Sequence, residues 1–264
     1  MFDPTDAPGP SFTDVLRRIG LDPFAPVHQA AASSPAPFEI RHGTTIVALR
    51  YADGVVMAGD RRATAGSSIA HRAMDKVHPA DRHSGVAIAG AAGPAMEMVK
   101  VFQLQLEHYE KVEGAALSLE GKANQLSQMV RSNLGMAMQG FVVVPLFAGF
   151  DLRRGMGRIY SYDPTGGRYE ETDFHADGSG GRDARTTVKL GWRPDLPRDE
   201  AVELAVRALW NAADEDSATG GPDAVRGIYP TVATITEGGF QYLGSAEVAE
   251  RFAAVVSTGE ALQP

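Results

Sequence analysis

The amino-acid sequence predicts an α+β protein in which antiparallel sheets are covered by helices. Short β-rich runs come in pairs joined by turn residues, as in "TTIVALRYADGVVMAG", where "ADG" suits a hairpin. Longer segments with apolar residues at helical spacing lie between and after these pairs. Because hairpins make antiparallel pairs and an amphipathic helix buries one face, we expect helical layers outside the sheets.

The first half of the predicted domain begins at Thr44 with that hairpin. Another buried strand follows in "SGVAIAGAAG" and ends in glycines. A helix is predicted over residues 93–114, with Pro94 in its first turn. Its apolar face is predicted to include Met98, Phe102 and Tyr109. A second helix is predicted over residues 120–140, with an inward face that includes Leu126, Met129, Val130 and Leu134.

The second half alternates strands and helices again. "FVVVPLFAGFD" is predicted as a strand, and "GRIYSYDPTGGRYEE" as a hairpin that turns across residues 164–167. A helix near Ala184 is only weakly indicated. Residues 198–216 form a strongly periodic helical pattern with acidic residues in the first turn. Two strands, "YPTVATIT" and "GFQYLG", and a closing helix, "SAEVAERFAAVVS", complete the order.

Composition excludes several functional classes. The chain has 264 residues, of which 44% are hydrophobic and 22% charged, so it is a globular protein with one large domain or two small ones. Its net charge of −8 argues against nucleic-acid binding, and its lack of cysteine excludes disulfides and thiol catalysis. No apolar run is long enough for a membrane span, and the N-terminus has no secretory pattern, so we expect a cytoplasmic protein.

Residues 1–43 differ in amino-acid composition from the rest of the chain. They contain seven of the sixteen prolines, and "HQAAASSPAPFE" is typical of an extended linker. The piece "SFTDVLRRIGL" is amphipathic and could form a short helix. Two interpretations stay open, a disordered tail with a transient helix and a pro-segment that docks on another surface.

Thr44 is a candidate nucleophile of an unusual kind. A threonine hydroxyl is weak until a base takes its proton. Cleavage after Gly43 would free the α-amine of Thr44, which titrates near about 7.7–8.0 and suits general-base work at neutral pH. Lys76 could stabilise the deprotonated hydroxyl, and Asp60 could keep that lysine charged. From spacing alone, Asp60 could equally be a turn or cap residue and Lys76 an ordinary surface lysine.

From Thr44 nearly to its end, the sequence resembles the β-type subunits of the proteasome, above all those of the actinobacterial 20S particle. Several motifs together carry the resemblance. They are "TTIVALRYADGVVMAGDRRATAG", Lys76, "IAGAAG", "DGSGG", "DEDSATGG", "PDAVRGIYPTV" and "LEHYEKVEG". The resemblance implies the N-terminal-nucleophile hydrolase fold, a four-layer αββα sandwich of two antiparallel sheets. It also implies a propeptide at residues 1–43, removed by self-cleavage between Gly43 and Thr44, and a catalytic domain at residues 44–264.

The resemblance also assigns roles to individual positions. Thr44 matches the N-terminal threonine nucleophile, with Asp60 and Lys76 as its charged supports. Gly90 matches the glycine whose backbone N–H forms the oxyanion hole. Ser179 matches the serine that hydrogen-bonds the amine of the threonine.

Two further positions lie in the motif that the family writes D-x-x-S-G-G. Asp216 matches its acid, while Thr219 stands where the family usually has serine. Threonine keeps the hydroxyl and adds a methyl group, so we expect the same hydrogen bond. The family's pocket for the side chain before the scissile bond maps to Ala63, Thr64, Ala70, Met74, Ile88, Ala92 and Met96. This mostly apolar set predicts cleavage after Leu, Tyr or Phe rather than after Arg or Asp, with His78 close by.

The family also implies the partners of the chain. Seven-membered β rings would pair and be flanked by rings of α-type subunits, which gives a core of about 28 subunits with no cofactor or metal. A ring-shaped ATPase activator and polypeptide substrates tagged with a small protein modifier are expected. Nucleic acid and membrane are not.

Three alternatives stay open from the sequence. The HslV-type peptidase of bacteria shares the threonine, the lysine and the "GD" turn, but the 221 residues from Thr44 onward are long for it. A non-catalytic ring subunit would lack the threonine or the lysine, and this chain has both. A small-molecule amidase could use the same nucleophile, but amidases lack the motif set above.

Overall fold

Strands and helices alternate through the part of the chain that the computed structural model describes, residues 43–260. The strands are β1 (Thr45–Tyr51), β2 (Gly54–Gly59), β3 (Ala63–Ala65), β4 (Ser68–His71), β5 (Val77–Asp81), β6 (Ser84–Gly90), β7 (Val143–Asp151), β8 (Met156–Tyr162), β9 (Arg168–Glu171), β10 (Phe174–Gly178), β11 (Thr231–Thr236) and β12 (Gly239–Tyr242). The helices are α1 (Ala92–Glu113), α2 (Leu119–Ser132), α3 (Leu134–Ala137), α4 (Gly181–Gly191), α5 (Arg198–Glu215) and α6 (Ser245–Glu260).

Two five-stranded antiparallel sheets form the centre of the fold. One has the strand order β10-β1-β2-β11-β12 and the other β5-β6-β7-β8-β9, while β3 and β4 form a separate hairpin. Alternate residues of β1 face opposite sides of their sheet, as the pleat requires. Ile46 and Ala48 pack in the core between the sheets, whereas Val47 and Leu49 pack against the helical layer. The predicted antiparallel class is therefore confirmed.

Helices cover the outer face of each sheet, which gives four layers. Helices α4, α5 and α6 share a core with β1, β2 and β11, in which Val202, Ala205 and Leu209 are fully buried. On the other side, α1 and α2 pack on β6 and β7 through residues such as Phe102 and Leu126. Both sheets are thus buried on both faces, which explains their dense Val, Ile and Ala content.

Two details of the predicted helices are wrong. The segment predicted as one helix over residues 120–140 ends at Ser132, and Leu134 lies in the separate short helix α3 with its side chain 37% exposed. Tyr109, predicted to face the core, is 39% exposed near the end of α1. Every residue from 107 to 113 is exposed, so the last two turns of α1 have little to pack against. The weakly indicated helix near Ala184 exists as α4.

The amphipathic piece predicted within residues 11–21 lies outside the described residues. In residues 43–260, no helix has both the length and the apolar character needed to cross a membrane.

Candidate active site

The strand pairing places Thr44 at the meeting point of three chain segments. Thr44 directly precedes β1, whose first residues pair with the last residues of β2 and of β10. Asp60 follows β2, and Ser179 follows β10. An antiparallel neighbour on each side of β1 therefore brings both polar residues to the start of that strand. Lys76 precedes β5 in the other sheet and reaches the same point, its Cβ lying against Gly59.

Asp60 and Lys76 form a buried ion pair. Nζ of Lys76 donates to Oδ1 of Asp60 at 2.6 Å, and their side chains are 2% and 0% exposed. Oδ1 also accepts the Thr45 amide at 2.7 Å, while Oδ2 accepts the amides of Arg62 at 2.9 Å and Gly220 at 2.8 Å. A buried charge pair is tolerated only when its remaining lone pairs are satisfied, and these three amides satisfy the carboxylate.

The ammonium group of Lys76 also lies against the peptide bond that precedes Thr44. Its Nζ donates to the Gly43 carbonyl oxygen at 3.1 Å, and the Thr44 hydroxyl donates to the same oxygen at 2.7 Å. Burial lowers the pKa of Lys76 below its ordinary value, although the charge and hydrogen bond of Asp60 oppose this effect. The carbonyl is thus polarised by one cation and one hydroxyl.

A second hydrogen-bond system, made largely of hydroxyl groups, holds the Thr44 amide. The amide donates to Oγ of Ser179 at 3.2 Å, and Ser179 in turn donates to Oδ2 of Asp216. The Thr219 hydroxyl donates to the same carboxylate oxygen at 2.6 Å. Because a carboxylate only accepts, the Thr219 proton is committed, and the Thr45 hydroxyl must donate to Thr219 across their 2.6 Å contact. The fold therefore brings Ser179, Asp216 and Thr219 together, as the resemblance implies.

Asp216 is held as a carboxylate in this system. Burial alone would raise its pKa, but the hydrogen bonds from Ser179, Thr219 and the Ala218 amide outweigh burial and lower the pKa below its ordinary value. The charge of Asp216 fixes the direction of every hydroxyl proton in the chain from Thr45 to Ser179.

A small, narrow cleft opens beside Thr44. Five of the seven predicted pocket positions line it, together with Gly90, Thr44 and Lys76. These five are Ala63, Thr64, Met74, Ile88 and Ala92.

The other two predicted pocket positions do not line this cleft. Ala70 lies in the exposed strand β4, and Met96 packs against the core beneath α1 and α2. Met96 follows Ala95 on the helix, and it is Ala95 that faces the cleft. His78 does not line the cleft either, and its Nε2 is buried without a hydrogen-bond partner among the described residues. The apolar wall is therefore shorter than predicted.

Two glycines of the site are required by close approach of backbone. A Cβ on Gly43 would lie 2.1 Å from the Ala218 carbonyl oxygen, and a Cβ on Gly90 would lie 2.1 Å from the Val142 oxygen. Gly90 also has a φ of +104°, which side chains disfavour. The Gly43 amide donates to the Thr64 hydroxyl at 3.1 Å, so the segment before Thr44 is held on both sides.

Three residues of the site had no predicted role, namely Thr45, Arg62 and Gly220. Thr45 is fully buried and completes the hydroxyl chain, while the backbone amides of Arg62 and Gly220 hold Asp60. The second threonine of "TT" was visible, but its partner Thr219 is 174 positions away. Residue type does not predict which backbone amides will donate, although Gly220 could be noticed as a glycine. Within residues 43–260, no cluster of His, Asp or Glu has the grouping needed to hold a metal ion.

Comparison with known proteins identifies the class of molecule that this fold and site define. A family model described as Proteasome subunit matches residues 40–226. The chain belongs to the proteasome subunit family, and the layered fold of antiparallel sheets and helices is the one that the resemblance implied.

Curated relatives place it among the β-type subunits of that family. A protein called Proteasome subunit beta from Acidimicrobium ferrooxidans is 59% identical over 250 residues, which cover 95% of this chain and 90% of the relative. Relatives of the same name from Jonesia denitrificans and Streptomyces griseus are 51% and 61% identical, covering 92% and 80% of this chain and 80% and 75% of their own lengths. The predicted resemblance to actinobacterial proteasome β subunits is confirmed, and the chain is a proteasome core subunit.

Proposed function

We propose that the chain is the precursor of a threonine endopeptidase that activates itself by cleavage between Gly43 and Thr44. One observation carries the proposal. The Thr44 hydroxyl and the Lys76 ammonium both donate to the Gly43 carbonyl oxygen, at 2.7 and 3.1 Å, in a site where Lys76 is buried and paired. A nucleophile and a cation at one carbonyl are two of the requirements for attack on that bond.

Self-cleavage proceeds through an ester. The Thr44 oxygen adds to the Gly43 carbonyl carbon, and the carbonyl oxygen becomes an alkoxide that Lys76 stabilises. The C–N bond then breaks, the hydroxyl proton ends on the Thr44 nitrogen, and Gly43 is left as an ester on the Thr44 oxygen. Water hydrolyses the ester, which leaves Gly43 as a carboxylate and frees both the amine and the hydroxyl of Thr44.

The freed amine then serves peptide hydrolysis. It takes the hydroxyl proton as general base, while Ser179 accepts a hydrogen bond from it and so fixes its position. The Gly90 N–H is proposed to hold the oxygen of the scissile peptide, since Gly90 lines the cleft beside Thr44. The cleft then receives the side chain before the scissile bond, with preference for Leu, Tyr or Phe.

The setting proposed for this activity is a closed chamber. The relatives are named Proteasome subunit beta. That name supports assembly with other subunits in a proteasome core. From the family resemblance, the arrangement proposed is paired seven-membered rings flanked by α-type subunits, with unfolded polypeptides delivered by a ring-shaped ATPase. The name also favours the 20S particle over the HslV-type peptidase. The intact Thr44, Asp60 and Lys76 set favours an active subunit over a scaffold subunit.

The decisive test is the mass of the chain after assembly with its α-type partner. Wild-type chain should lose residues 1–43 without an added protease. Thr44→Ala should assemble, stay full length and lose peptidase activity by several powers of ten. Thr44→Ser, which keeps the hydroxyl, should still be cleaved. Clean loss of residues 1–43 from Thr44→Ala would show that another protease makes the cut.

A further inference from the structure

A second cleft lies behind the catalytic aspartate and is lined mainly by arginine. Arg61, Arg62 and Arg72 form one wall, and the loop from Gly220 to Pro230 forms the other. The free space is about 350 Å³ when the part open to solvent is included. None of these three side chains takes part in the chemistry proposed above, where Arg62 contributes only its backbone amide.

The positive charge of this cleft is poorly balanced. Its one lining carboxylate, Asp223, is already held by Arg226, whose guanidinium donates to it at 2.6 Å and lowers its pKa. Arg61 forms an ion pair with Asp75, which does not line the cleft and also accepts a hydrogen bond from the Thr231 hydroxyl. Because Arg61 is paired with Asp75, the guanidinium groups of Arg62 and Arg72 are the two without a carboxylate partner among residues 43–260, in a protein whose net charge is −8.

Donors on these arginines are left unused. The exposed Arg72 side chain forms no hydrogen bond or ion pair with any residue from 43 to 260. Nε of Arg61 is buried and has no partner among those residues. Arg62 uses one guanidinium nitrogen, which donates to the Ser217 carbonyl at 2.9 Å. A buried donor without an acceptor costs free energy, so an acceptor brought by a ligand would relieve that cost.

We propose that this cleft is a binding site for a small oxyanion of the size of phosphate. Guanidinium groups match the oxygens of such anions through paired, charge-assisted hydrogen bonds, and three of them meet here around one cavity. Tyr229 lies in the wall opposite the arginines.

The site is coupled to the catalytic carboxylate by geometry. The amides of Arg62 and Gly220 come from opposite walls of the cleft and donate to the same Asp60 oxygen. An anion bound between the walls fastens the 220–230 loop to the segment of Arg61 and Arg62. Binding therefore stabilises the fold around Asp60, which a melting temperature reports without any peptidase assay.

The test uses the full chain carrying Thr44→Ala, so that neither processing nor activity enters the result. Its melting temperature is followed while inorganic phosphate replaces chloride at constant ionic strength. We expect a saturable rise. Arg72→Gln should raise the phosphate concentration for half-maximal effect about tenfold, since one charge-assisted partner is lost. Arg72→Lys should fall between, because it keeps the charge and loses the paired geometry.

Arg182→Gln is the matched control. Arg182 is another exposed arginine, on α4 and away from this cleft, so its removal should leave the phosphate response unchanged. Equal responses in all variants would mean a general salt effect and would overturn the proposal. If phosphate has no effect on any variant and Arg72→Gln sediments differently, the arginines instead form a contact between copies of the chain. That result would also overturn the proposal.

Discussion

Thr44 stands where two hydrogen-bond systems meet that share no side chain. Lys76 and Asp60 act on the carbonyl before it, through the contacts of Nζ with the Gly43 oxygen and with Oδ1. The system that runs from Ser179 through Asp216 acts on its nitrogen. The two systems therefore serve different stages, since the first acts on the bond to be cut and the second on the amine that the cut releases.

This separation predicts different pH profiles for processing and for peptide hydrolysis. Hydrolysis needs a neutral amine, so its rate should rise with pH through about 7.7–8.0. Both reactions need the charged form of Lys76. Because burial lowers the pKa of Lys76 from 10.5, both rates should begin to fall at a pH below 10.5. The processing rate should not show this fall at low pH, the acid limb of the profile, because the Thr44 nitrogen is still part of an amide. Rates of precursor loss by mass spectrometry and of fluorogenic peptide cleavage measure the two profiles.

A control comes from the mature particle with its amine acetylated, which should lose hydrolysis at every pH. An acid limb near pH 8 in the processing profile would assign that limb to a group other than the amine. If Lys76→Ala assembles normally and keeps both processing and peptide hydrolysis, Lys76 is not part of the catalytic site.

At the residue scale, the sequence identified the chemistry but not all of its supports. Thr44, Asp60 and Lys76 could be proposed from residue type and spacing, and Ser179 and Asp216 from resemblance. Thr45 could not, because its role depends on the side chain of Thr219 across the fold. The amide donors to Asp60 depend on backbone direction, which residue identity does not encode.

At the scale of elements, long periodic segments were predictable and short polar strands were not. The β1–β2 hairpin, α1 and α5 follow from patterns of ten or more residues. Strands β3, β4 and β10 have three to five residues and contain Ser, His, Thr or Asp, so no alternation marks them. The same gap explains the pocket, because Ala70 is the unpaired residue of β4 at the register shift opposite Ala63 and Thr64, and it does not line the cleft that they line.

The start of α1 provides the test of that cleft. Ala92 is the first residue of the helix and lines the space beside Thr44. Ala92→Phe should fill the space and exclude large side chains, whose burial contributes about 1.5–3 kcal/mol. We expect kcat/KM for peptides cut after Leu or Phe to fall roughly 10- to 150-fold, while cleavage after Ala is spared. A panel of fluorogenic peptides differing only in that residue measures the change.

Ala70→Phe is the matched control for this substitution. The same side chain is introduced on the exposed strand β4, outside the cleft, so the order of preference should not change. A larger loss in Ala70→Phe than in Ala92→Phe would contradict the placement of the cleft beside Ala92. Fastest cleavage after Arg or Asp in the wild-type enzyme would contradict the pocket assignment itself.

At the scale of the whole molecule, the described surface includes apolar side chains that a lone subunit leaves in water. On α1, Leu104 and Val112 are 65% and 66% exposed, and Val101 lies on the same side of the helix. Contiguous exposed apolar residues are typical of contact surfaces, whereas single ones are normal on any protein. The α1 face is thus a candidate contact surface within the particle.

Assembly is the prediction that follows from this face. Alone, the full chain should form small, inactive species, and with its α-type partner it should enter a symmetric particle of about 28 subunits. Leu104→Lys with Val112→Lys should reduce the yield of that particle, because two charges would lose water at a contact without a partner. Leu152→Lys, in the turn after β7 beside Arg153 and Arg154, is an exposed apolar control and should assemble normally. Light scattering after size exclusion measures the yield. A stable, proteolytically active monomer would contradict the assembly prediction, and normal yield in the double variant would remove the α1 face from it.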